Sequence, residues 1–209
     1  MTAPLLSVGD PGRLAAEVGS GRAPARAWPP DHALSRSRAA DLEIRAASVR
    51  GLLHRYRGQP RQDAYGVRFD EPTQTLVVVV CDGVWSLPRS HEAADRVCAT
   101  LPDAYLVHRD WEQAIVEVNR GLTLLAADAD MATTVVALAV EEFPDGRRTS
   151  LAWVGDSPAW QLDDTGWHDL TGTTAPPDET LHDSSVRPLP SNRPRIRTEE
   201  VAVTAPIFL

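Results

Sequence analysis

Residues 76–83 read Leu-Val-Val-Val-Val-Cys-Asp-Gly, an apolar run of strand length that ends directly on an acidic residue. Two other aspartates have similar places, because Asp156 follows the apolar segment Leu151-Ala-Trp-Val-Gly and Asp63 stands just before another apolar segment. A carboxylate at the end of a buried strand is costly unless something compensates its charge. Hard divalent cations supply that compensation and prefer oxygen ligands. The alternative is that each aspartate only begins a turn, for which Asp-Gly and Gly-Asp-Ser are ordinary sequences.

Short segments rich in apolar residues follow one another from residue 42 onward and predict strands. Turn sequences separate several of them, since Asp70-Glu-Pro-Thr, Pro144-Asp-Gly and Asp163-Asp-Thr-Gly are typical of hairpin connections. The predicted strands are Leu42–Val49, Ala64–Phe69, Leu76–Cys81, Thr133–Val140, Ser150–Val154, Ala159–Leu162, and Val201–Val203 with Ile207–Leu209.

Two helices are predicted between the third and fourth of these strands. The first runs from its N-cap, Ser90, to about Thr100, and the sequence Leu101-Pro-Asp ends it. The second runs from about Trp111 to Leu124, with the preceding aspartate as its N-cap and apolar side chains at helical spacing. Strands and helices are segregated along the chain, which favours an α+β protein with helices packed on antiparallel sheet.

The two ends of this pattern differ in composition from its centre. Residues 1–40 contain five prolines among alanine, glycine, serine and arginine, with one short possible helix at Leu14–Val18. This composition predicts a flexible arm ahead of a single domain over residues 41–209. Residues 171–194 are rich in threonine, proline, serine and aspartate, which predicts a surface loop long enough to flank a site.

The composition excludes several classes of protein. The chain has 209 residues, 43% of them apolar, and no apolar run near the ~20 residues that cross a bilayer. A net charge of −8 argues against a nucleic-acid-binding surface. The N-terminus does not resemble a secretory signal, and the two cysteines, Cys81 and Cys98, are too few for a disulfide framework. Cys81 is interpreted as a buried, inert thiol, and the protein as cytoplasmic.

Four motifs carry a resemblance to a known family. They are Arg57-Gly-Gln-Pro-Arg-Gln-Asp-Ala, Val80-Cys-Asp-Gly-Val, Ala132-Thr-Thr-Val-Val-Ala-Leu and Val154-Gly-Asp-Ser-Pro-Ala-Trp. In this order they resemble the metal-dependent protein phosphatases, the PPM or protein phosphatase 2C family, and its bacterial members most of all. The resemblance covers the chain from about Leu42 to the C-terminus, and the order of four motifs is more specific than any one of them.

This resemblance implies a fold, a cofactor and a reaction. The implied fold is two antiparallel sheets packed as a sandwich with helices on both outer faces (αββα). The implied cofactor is a centre of two or more Mn²⁺ or Mg²⁺ ions in a cleft at one end of the sandwich. A water activated there attacks the phosphorus of phosphoserine or phosphothreonine in a protein. The implied partners are phosphorylated proteins and a serine/threonine kinase, with no role for nucleic acid or membrane.

The resemblance also implies roles for individual residues. Asp82 matches the carboxylate that bridges both metals, and Gly83 matches the residue whose backbone carbonyl binds one of them. Asp63 matches the acidic residue that orients the attacking water near the second metal. Asp156 matches the acid that borders an additional metal position in bacterial members. The implied catalytic residues are therefore Asp82 and Asp63.

The phosphate-binding arginine has two candidates, Arg57 and Arg61, because a Gln-Pro insertion leaves the spacing ambiguous. Arg57 is favoured, and in either case a guanidinium can contact two phosphoryl oxygens at once. His54 is interpreted as a structural or surface histidine. Thr133 and Thr134 are interpreted as the structural start of a core strand.

The sequence departs from the family pattern in two places. Val84 stands where the family often has a histidine, so a general acid is missing there, and Trp85 replaces a glycine that permits close backbone approach. A second Asp-Gly is expected after residues 205–209, where the chain stops. We therefore expect a domain that lacks its C-terminal part, with weak metal binding and slow hydrolysis.

Two alternative hypotheses are kept beside the phosphatase. One is a catalytically inactive pseudophosphatase that binds a phosphoprotein or kinase. The other is an α+β domain whose aspartates only form turns.

Overall fold

A five-stranded antiparallel sheet is the centre of the fold, seen in a computed structural model that describes residues 31–84, 87–127, 130–173 and 186–209. Two smaller sheets and three helices surround it in the described ranges. The elements, in chain order, are β1 (His32–Ala39), β2 (Leu42–Val49), α1 (Leu52–Arg57), β3 (Ala64–Asp70), β4 (Thr75–Cys81), α2 (Ser90–His108), α3 (Trp111–Ala126), β5 (Val135–Phe143), β6 (Gly146–Val154), β7 (Trp160–Asp163), β8 (Gly166–Asp169), β9 (Arg197–Glu200) and β10 (Ile207–Phe208).

The five-stranded sheet has the strand order β3-β4-β5-β6-β9, and every pair of neighbours is antiparallel. Its middle strands are rich in valine, whose branched side chain favours the pleated conformation. The register pairs Ala64 with Cys81 and Val135 with Val154. As a result, the start of β3, the end of β4, the start of β5 and the end of β6 lie at one end of the sheet.

One face of this sheet packs against α2 and α3. Val77, Val79 and Cys81 share this face because alternate residues of a strand lie on the same side. They form one buried apolar cluster with helix residues such as Val97 and Ile115. None of the helices in the described ranges has the length and hydropathy needed to cross a bilayer.

The opposite face of the sheet is covered by two smaller sheets, one formed by β1 and β2 and one ordered β10-β7-β8. Leu76, Val136 and Trp153 belong to an apolar cluster on this face, together with Ile44 and Ala159 from the covering layer. Antiparallel sheets therefore pack face to face, with α2 and α3 on one outer side. The predicted α+β class with an antiparallel sandwich is confirmed.

A mainly apolar groove of about 950 Å³ interrupts the covering layer. Val78 and Leu138 of the central sheet line its floor, and Ile44 and Ile207 line its sides. In the described part of the chain, β2 pairs only with β1, and β10 pairs only with β7. The second layer of the sandwich is therefore open between β2 and β10.

Both cysteines are free and buried. Desolvation by burial raises the pKa of the Cys81 thiol, and a hydrogen bond to Cys98 raises it further. A cysteine with a raised pKa stays protonated at neutral pH, and the thiol is a poor nucleophile. The interpretation of Cys81 as a buried, inert thiol is confirmed.

Helix α2 is longer than predicted, because it continues through Pro102 to His108. Proline has no N–H, so the carbonyl of Cys98 has no helical donor. Gly66 packs on this carbonyl so closely that an added Cβ would lie 3.0 Å from its carbon atom. Tyr105, in the next turn, is buried and stabilises the continued helix. The predicted end of the helix at this proline is wrong.

The two long helices differ in how they begin. Arg89 holds the N-cap position of α2 without a side-chain cap bond, while the hydroxyl of Ser90 donates to the carbonyl of Val84 at 2.8 Å. The predicted Ser90 cap is wrong because this hydroxyl is used in a tertiary contact. In α3 the predicted cap is confirmed, since the side chain of Asp110 accepts from the N–H of Gln113 at 2.7 Å.

Most predicted strands are confirmed to within a few residues, as are the turns that join β3 to β4, β5 to β6 and β7 to β8. Residues 32–39, predicted as part of the flexible arm, instead form β1 and pair with β2 along their whole length. Residues 201–203 are not a strand, and the preceding residues 197–200 form β9. The rest of the predicted arm, with its possible helix, lies outside the described residues.

The predicted surface loop at residues 171–194 is partly buried. Leu189 is fully buried and exchanges two backbone hydrogen bonds of 2.8 Å with Thr133. Thr171, at the start of the segment, is buried as well. Residues 174–185 lie outside the described part of the chain. Thr171 and Leu189 therefore anchor this segment in the fold, which corrects the prediction of a surface loop at these two residues.

Candidate active site

Three predicted acidic residues lie at one end of the five-stranded sheet. Asp63 directly precedes β3, Asp82 directly follows β4, and Asp156 comes two residues after β6. Consecutive antiparallel strands place these positions at the same end. The candidate site therefore follows from where the strands begin and end.

The carboxyl groups of Asp63 and Asp82 are close enough to share a hydrogen bond, although both residues keep access to solvent. Desolvation by the surrounding protein, the hydrogen bond to Asp63 and the negative charge of Asp63, in that order, raise the pKa of Asp82 to about 6. Charge on His54 acts in the opposite direction. The pair therefore holds repelling negative charge that a bound cation would relieve.

Gly83 follows the pair where the backbone passes close to two other segments. A Cβ at this position would lie 2.9 Å from the Ser90 carbonyl carbon and 3.0 Å from the Gln62 carbonyl oxygen. Gly83 also pairs with Thr133 in an isolated β-bridge. The backbone hydrogen bonds of this bridge are made by the residues that flank Gly83 and Thr133 along the chain. In such a pair the central residue directs its own carbonyl away from the partner strand. Only glycine fits here without displacing the neighbouring backbone.

Two buried threonines hold the backbone of Asp82. The N–H of Thr134 and the hydroxyl of Thr133 both donate to the Asp82 carbonyl at 2.9 Å. The Thr134 hydroxyl also hydrogen-bonds the Ser157 hydroxyl at 2.6 Å. The structural interpretation of both threonines is confirmed, and their structural task is to fix the strand end that carries the candidate acid.

The two candidate arginines lie in different surroundings. Arg61 is buried, and its guanidinium donates to the carbonyl of Asp63 at 2.5 Å. The charge of Arg61 also lowers the pKa of Asp95, against the desolvation by burial that raises it. Ser48 donates a second hydrogen bond to the Asp63 carbonyl, at 2.8 Å. Arg57 ends α1 and is exposed. Arg61 therefore supports the backbone of Asp63, and Arg57 is accessible to a ligand.

Asp156 is exposed and lies two strands away from Asp82 in the order of the sheet. Neighbouring strands are ~4.8 Å apart, so these two strand ends are separated by roughly 10 Å. The structure brings Asp63 and Asp82 together and places Asp156 at the same sheet end, apart from the pair.

Sequence reasoning did not connect His54 with the candidate site. It lies in α1, and its charge lowers the pKa of Asp82, which places the imidazole within electrostatic reach of the carboxyl pair. Nothing in its local sequence distinguishes it from a surface histidine. Of the two residues that depart from the family pattern, Val84 donates its backbone N–H to the Ala132 carbonyl at 3.0 Å. The other, Trp85, lies outside the described residues.

Residues 50–198, well over half of the chain, match the model of the family described as Protein phosphatase 2C. The chain belongs to the protein phosphatase 2C family. No curated protein matches the chain at a significant level.

Solved structures share the fold of this protein phosphatase 2C chain. The serine/threonine phosphatase Stp1 from Staphylococcus aureus superposes with a TM-score of 0.55 and 18% identity, over 82% of this chain and 71% of that one. A bacterial serine phosphatase gives 0.53 and 18%, over 81% and 73%. A sex determining protein of C. elegans gives 0.50 and 17%, over 69% and 46%. The chain thus spans about half the length of the nematode protein and about seven tenths of the bacterial ones.

The site of this protein phosphatase 2C chain fits a hard divalent cation at the carboxyl pair. Asp63 and Asp82 offer adjacent oxygen ligands whose mutual repulsion a cation relieves. The backbone of Gly83 passes beside them where a side chain would clash. Within the described ranges, no three His, Cys, Asp or Glu side chains surround a common position. The pair alone would supply the side-chain ligands for a cation at this position in the described part of the chain.

Proposed function

We propose that this chain is a metal-dependent serine/threonine protein phosphatase domain that hydrolyses phosphoserine and phosphothreonine monoesters in proteins. The contact between the carboxyl groups of Asp63 and Asp82 carries the proposal, since adjacent carboxylates suit Mn²⁺ or Mg²⁺. Membership of the family supports the reaction class. We place the protein in the cytoplasm, opposite a serine/threonine kinase whose products it removes.

The proposed roles divide among a few residues. Asp63, Asp82 and the Gly83 carbonyl would hold the cation, and Asp156 would border an additional one. The chemistry that such a cation would supply is neutralisation of phosphoryl charge and a water of lowered pKa. Asp63 would orient the attacking water toward the phosphorus. Arg57 binds two phosphoryl oxygens, because its guanidinium is exposed at the end of α1 and presents parallel N–H donors.

A non-catalytic module that binds a phosphoprotein or a kinase is the second candidate. Val84 favours it, because an apolar side chain directly after Asp82-Gly83 donates no proton to a leaving group. The backbone N–H of Val84 is already used by the Ala132 carbonyl. Such a module would bind a phosphopeptide at Arg57 without turning it over.

Hydrolysis of p-nitrophenyl phosphate tests the proposed function. We expect turnover that requires added MnCl₂, and a loss of at least about 100-fold in kcat/KM in Asp82→Asn, because the neutral amide is a poor metal ligand. The matched control is Asp164→Asn, an exposed aspartate in the turn between β7 and β8 that should leave the rate unchanged.

The outcomes separate the two candidate functions. Full activity in Asp82→Asn contradicts the proposed metal role. No turnover by the unmodified chain, together with phosphopeptide binding that is independent of Mn²⁺, contradicts the phosphatase proposal and supports the binding module.

A further inference from the structure

The apolar groove between β2 and β10 is continuous with the candidate site. Ser48 and Asp63 line one end of it, and the Ser48 hydroxyl donates to the Asp63 carbonyl at 2.8 Å. Leu76 and Val140, which pair at the opposite end of the central sheet, line the groove as well. The groove therefore runs along the central sheet and reaches the end that carries the candidate acids.

The floor of the groove leads to Asp82. Val78 and Val80 of β4 line the floor, and alternate residues of a strand lie on the same face. The ladder between β4 and β5 continues past the end of β4, since the Thr134 N–H donates to the Asp82 carbonyl at 2.9 Å. Asp82 therefore lies on the same face of the sheet as Val78 and Val80. A polypeptide that covers this floor extends to the candidate acid.

One side of the groove is the backbone edge of β2. All eight residues of β2 line the groove, although successive side chains of a strand lie on opposite faces. No residue of β1 lines it, so β1 covers the other edge of β2. Among the described residues, neither β2 nor β10 has a second strand partner. An edge strand presents N–H and C=O groups with which a further strand can pair.

We propose that this groove binds the substrate polypeptide as an added β-strand, and that the chain selects phosphoserine or phosphothreonine segments in which aliphatic and polar residues alternate. This inference rests on the proposed function, which places the phosphate group at Asp82. The continuity of the groove with Asp63 and Asp82 identifies the substrate as its occupant.

The added strand uses both the edges and the floor of the groove. Its backbone pairs with β2 and β10, and its aliphatic side chains cover the floor. Backbone pairing supplies affinity, and burial of alternate side chains supplies selectivity. The eight residues of β2 extend over roughly 26 Å at ~3.3 Å per residue, so a substrate segment of similar length fits beside them.

Three matched peptides test the groove. Each is labelled with fluorescein and carries the non-hydrolysable phosphonate analogue of phosphoserine at its centre. The first has valine at every second position from the centre, on the face that the phosphorylated residue shares, and the second has serine there. The third is the valine peptide with alternate backbone amides methylated. Their binding to the full chain in MnCl₂ is measured by fluorescence anisotropy.

Two variants remove apolar surface from the sides of the groove. Ile44→Ser changes a half-buried residue of β2, and Val203→Ser changes a residue that is 40% exposed. Because Val203 is exposed, its substitution tests the groove even where Ile44→Ser destabilises the fold. The matched control is Leu34→Ser, which changes an exposed residue of β1 that does not line the groove.

The expected result is specific to the valine peptide. The unmodified chain should bind it about ten-fold more tightly than the serine peptide. Methylation should remove that advantage, because a methylated amide donates no hydrogen bond to a strand edge. Each groove variant should bind the valine peptide about three-fold more weakly, and Leu34→Ser should bind it as the unmodified chain does. Equal affinity for the valine and serine peptides overturns the inference, and so does undiminished binding of the methylated peptide.

Other occupants of the groove give different results. A dimer in light scattering that Val203→Ser converts to a monomer overturns the inference, because a second copy of the chain then fills the groove. Tighter binding of the valine peptide by Ile44→Ser also overturns it, because a segment of the chain itself then covers the groove.

Hydrolysis of p-nitrophenyl phosphate distinguishes failure of this inference from failure of the proposed function, since that substrate has no flanking residues to enter the groove. Turnover of the small substrate without a preference for the valine peptide contradicts the groove alone. A chain that does not hydrolyse the small substrate, yet binds the valine peptide through the groove, supports the added strand and contradicts the phosphatase.

Discussion

Asp82 makes the stability of the metal-free chain sensitive to pH. Its pKa of about 6 lies above the 3.8 of an ordinary carboxyl, so the folded state binds this proton more tightly than the unfolded state. The resulting stabilisation is complete below about pH 4 and is lost as the pH rises through about 6. Above that pH, the desolvation of the charged Asp82 carboxylate and its repulsion by Asp63 both oppose folding.

We therefore expect Asp82→Asn to stabilise the metal-free chain at pH 7.5. The expected gain in the free energy of unfolding is roughly 1 kcal/mol. It is smaller than the whole rise in the pKa of Asp82 would give, because the carboxyl retains access to solvent. At pH 4 the variant and the unmodified chain should be nearly equal. Urea denaturation in the presence of a chelator at both pH values measures the difference, and an equal effect at both would contradict a raised pKa of Asp82 in the folded chain.

Truncation of Arg57 should affect substrate binding, whereas truncation of Arg61 should affect stability. Arg57→Ala should raise KM for a phosphopeptide about ten-fold with no change in the thermal midpoint, because the side chain is exposed. Arg61→Ala should lower the free energy of unfolding by roughly 1–3 kcal/mol, because it removes a buried donor from the Asp63 carbonyl. Steady-state kinetics and thermal melts separate them, and the reverse pattern would make Arg61 the phosphate ligand.

The acids of the candidate site could be placed from sequence because they flank apolar strands. Strand ends meet in a sheet, so Asp63 and Asp82 were expected to be neighbours, and their carboxyl groups are in contact. The approach of His54 to Asp82 and of Arg61 to Asp95 depends on how α1 and α2 dock on the sheet. No local pattern encodes that docking.

Among the elements, those with apolar periodicity were predictable and those formed by pairing alone were not. Strands β4 and β5 are apolar and mostly buried over most of their length, and sequence indicates them directly. Strand β1 reads His-Ala-Leu-Ser-Arg-Ser-Arg-Ala, which has no apolar alternation, and forms because every residue pairs with β2. Helix α2 passes through Pro102 because its buried face outweighs one lost hydrogen bond.

The contact of β3 with α2 predicts the effect of a single methyl group. Gly66→Ala should lower the free energy of unfolding by roughly 1–3 kcal/mol, because its Cβ meets the Cys98 carbonyl, which belongs to the backbone. Gly121→Ala is the control, since a Cβ at this position of α3 has nothing within 4 Å and should stabilise the helix by up to ~1 kcal/mol. Urea denaturation of both variants is the measurement, and a neutral Gly66→Ala would mean that α2 shifts at little cost.

The molecule as a whole has one layer that is complete and one that is open. The groove between β2 and β10 exposes apolar residues of the central sheet in a volume of about 950 Å³. We expect the native chain to enhance the fluorescence of anilinonaphthalene sulfonate, a dye that binds exposed apolar surface. Ile44→Ser, inside the groove, should weaken dye binding about three-fold.

The control for the groove is Leu34→Ser, which removes an exposed side chain of β1 that does not line it. That variant should bind the dye as the unmodified chain does. Fluorescence enhancement that appears only within the unfolding transition would mean that the groove is closed in solution.

Leu189 lies outside the central sheet, yet its two backbone bonds end on Thr133, whose hydroxyl holds the carbonyl of Asp82. A displacement of Leu189 would consequently move Thr133, and through Thr133 the backbone of Asp82. The position of the candidate acid is thus determined partly by Leu189, a residue that belongs to none of the named helices and strands.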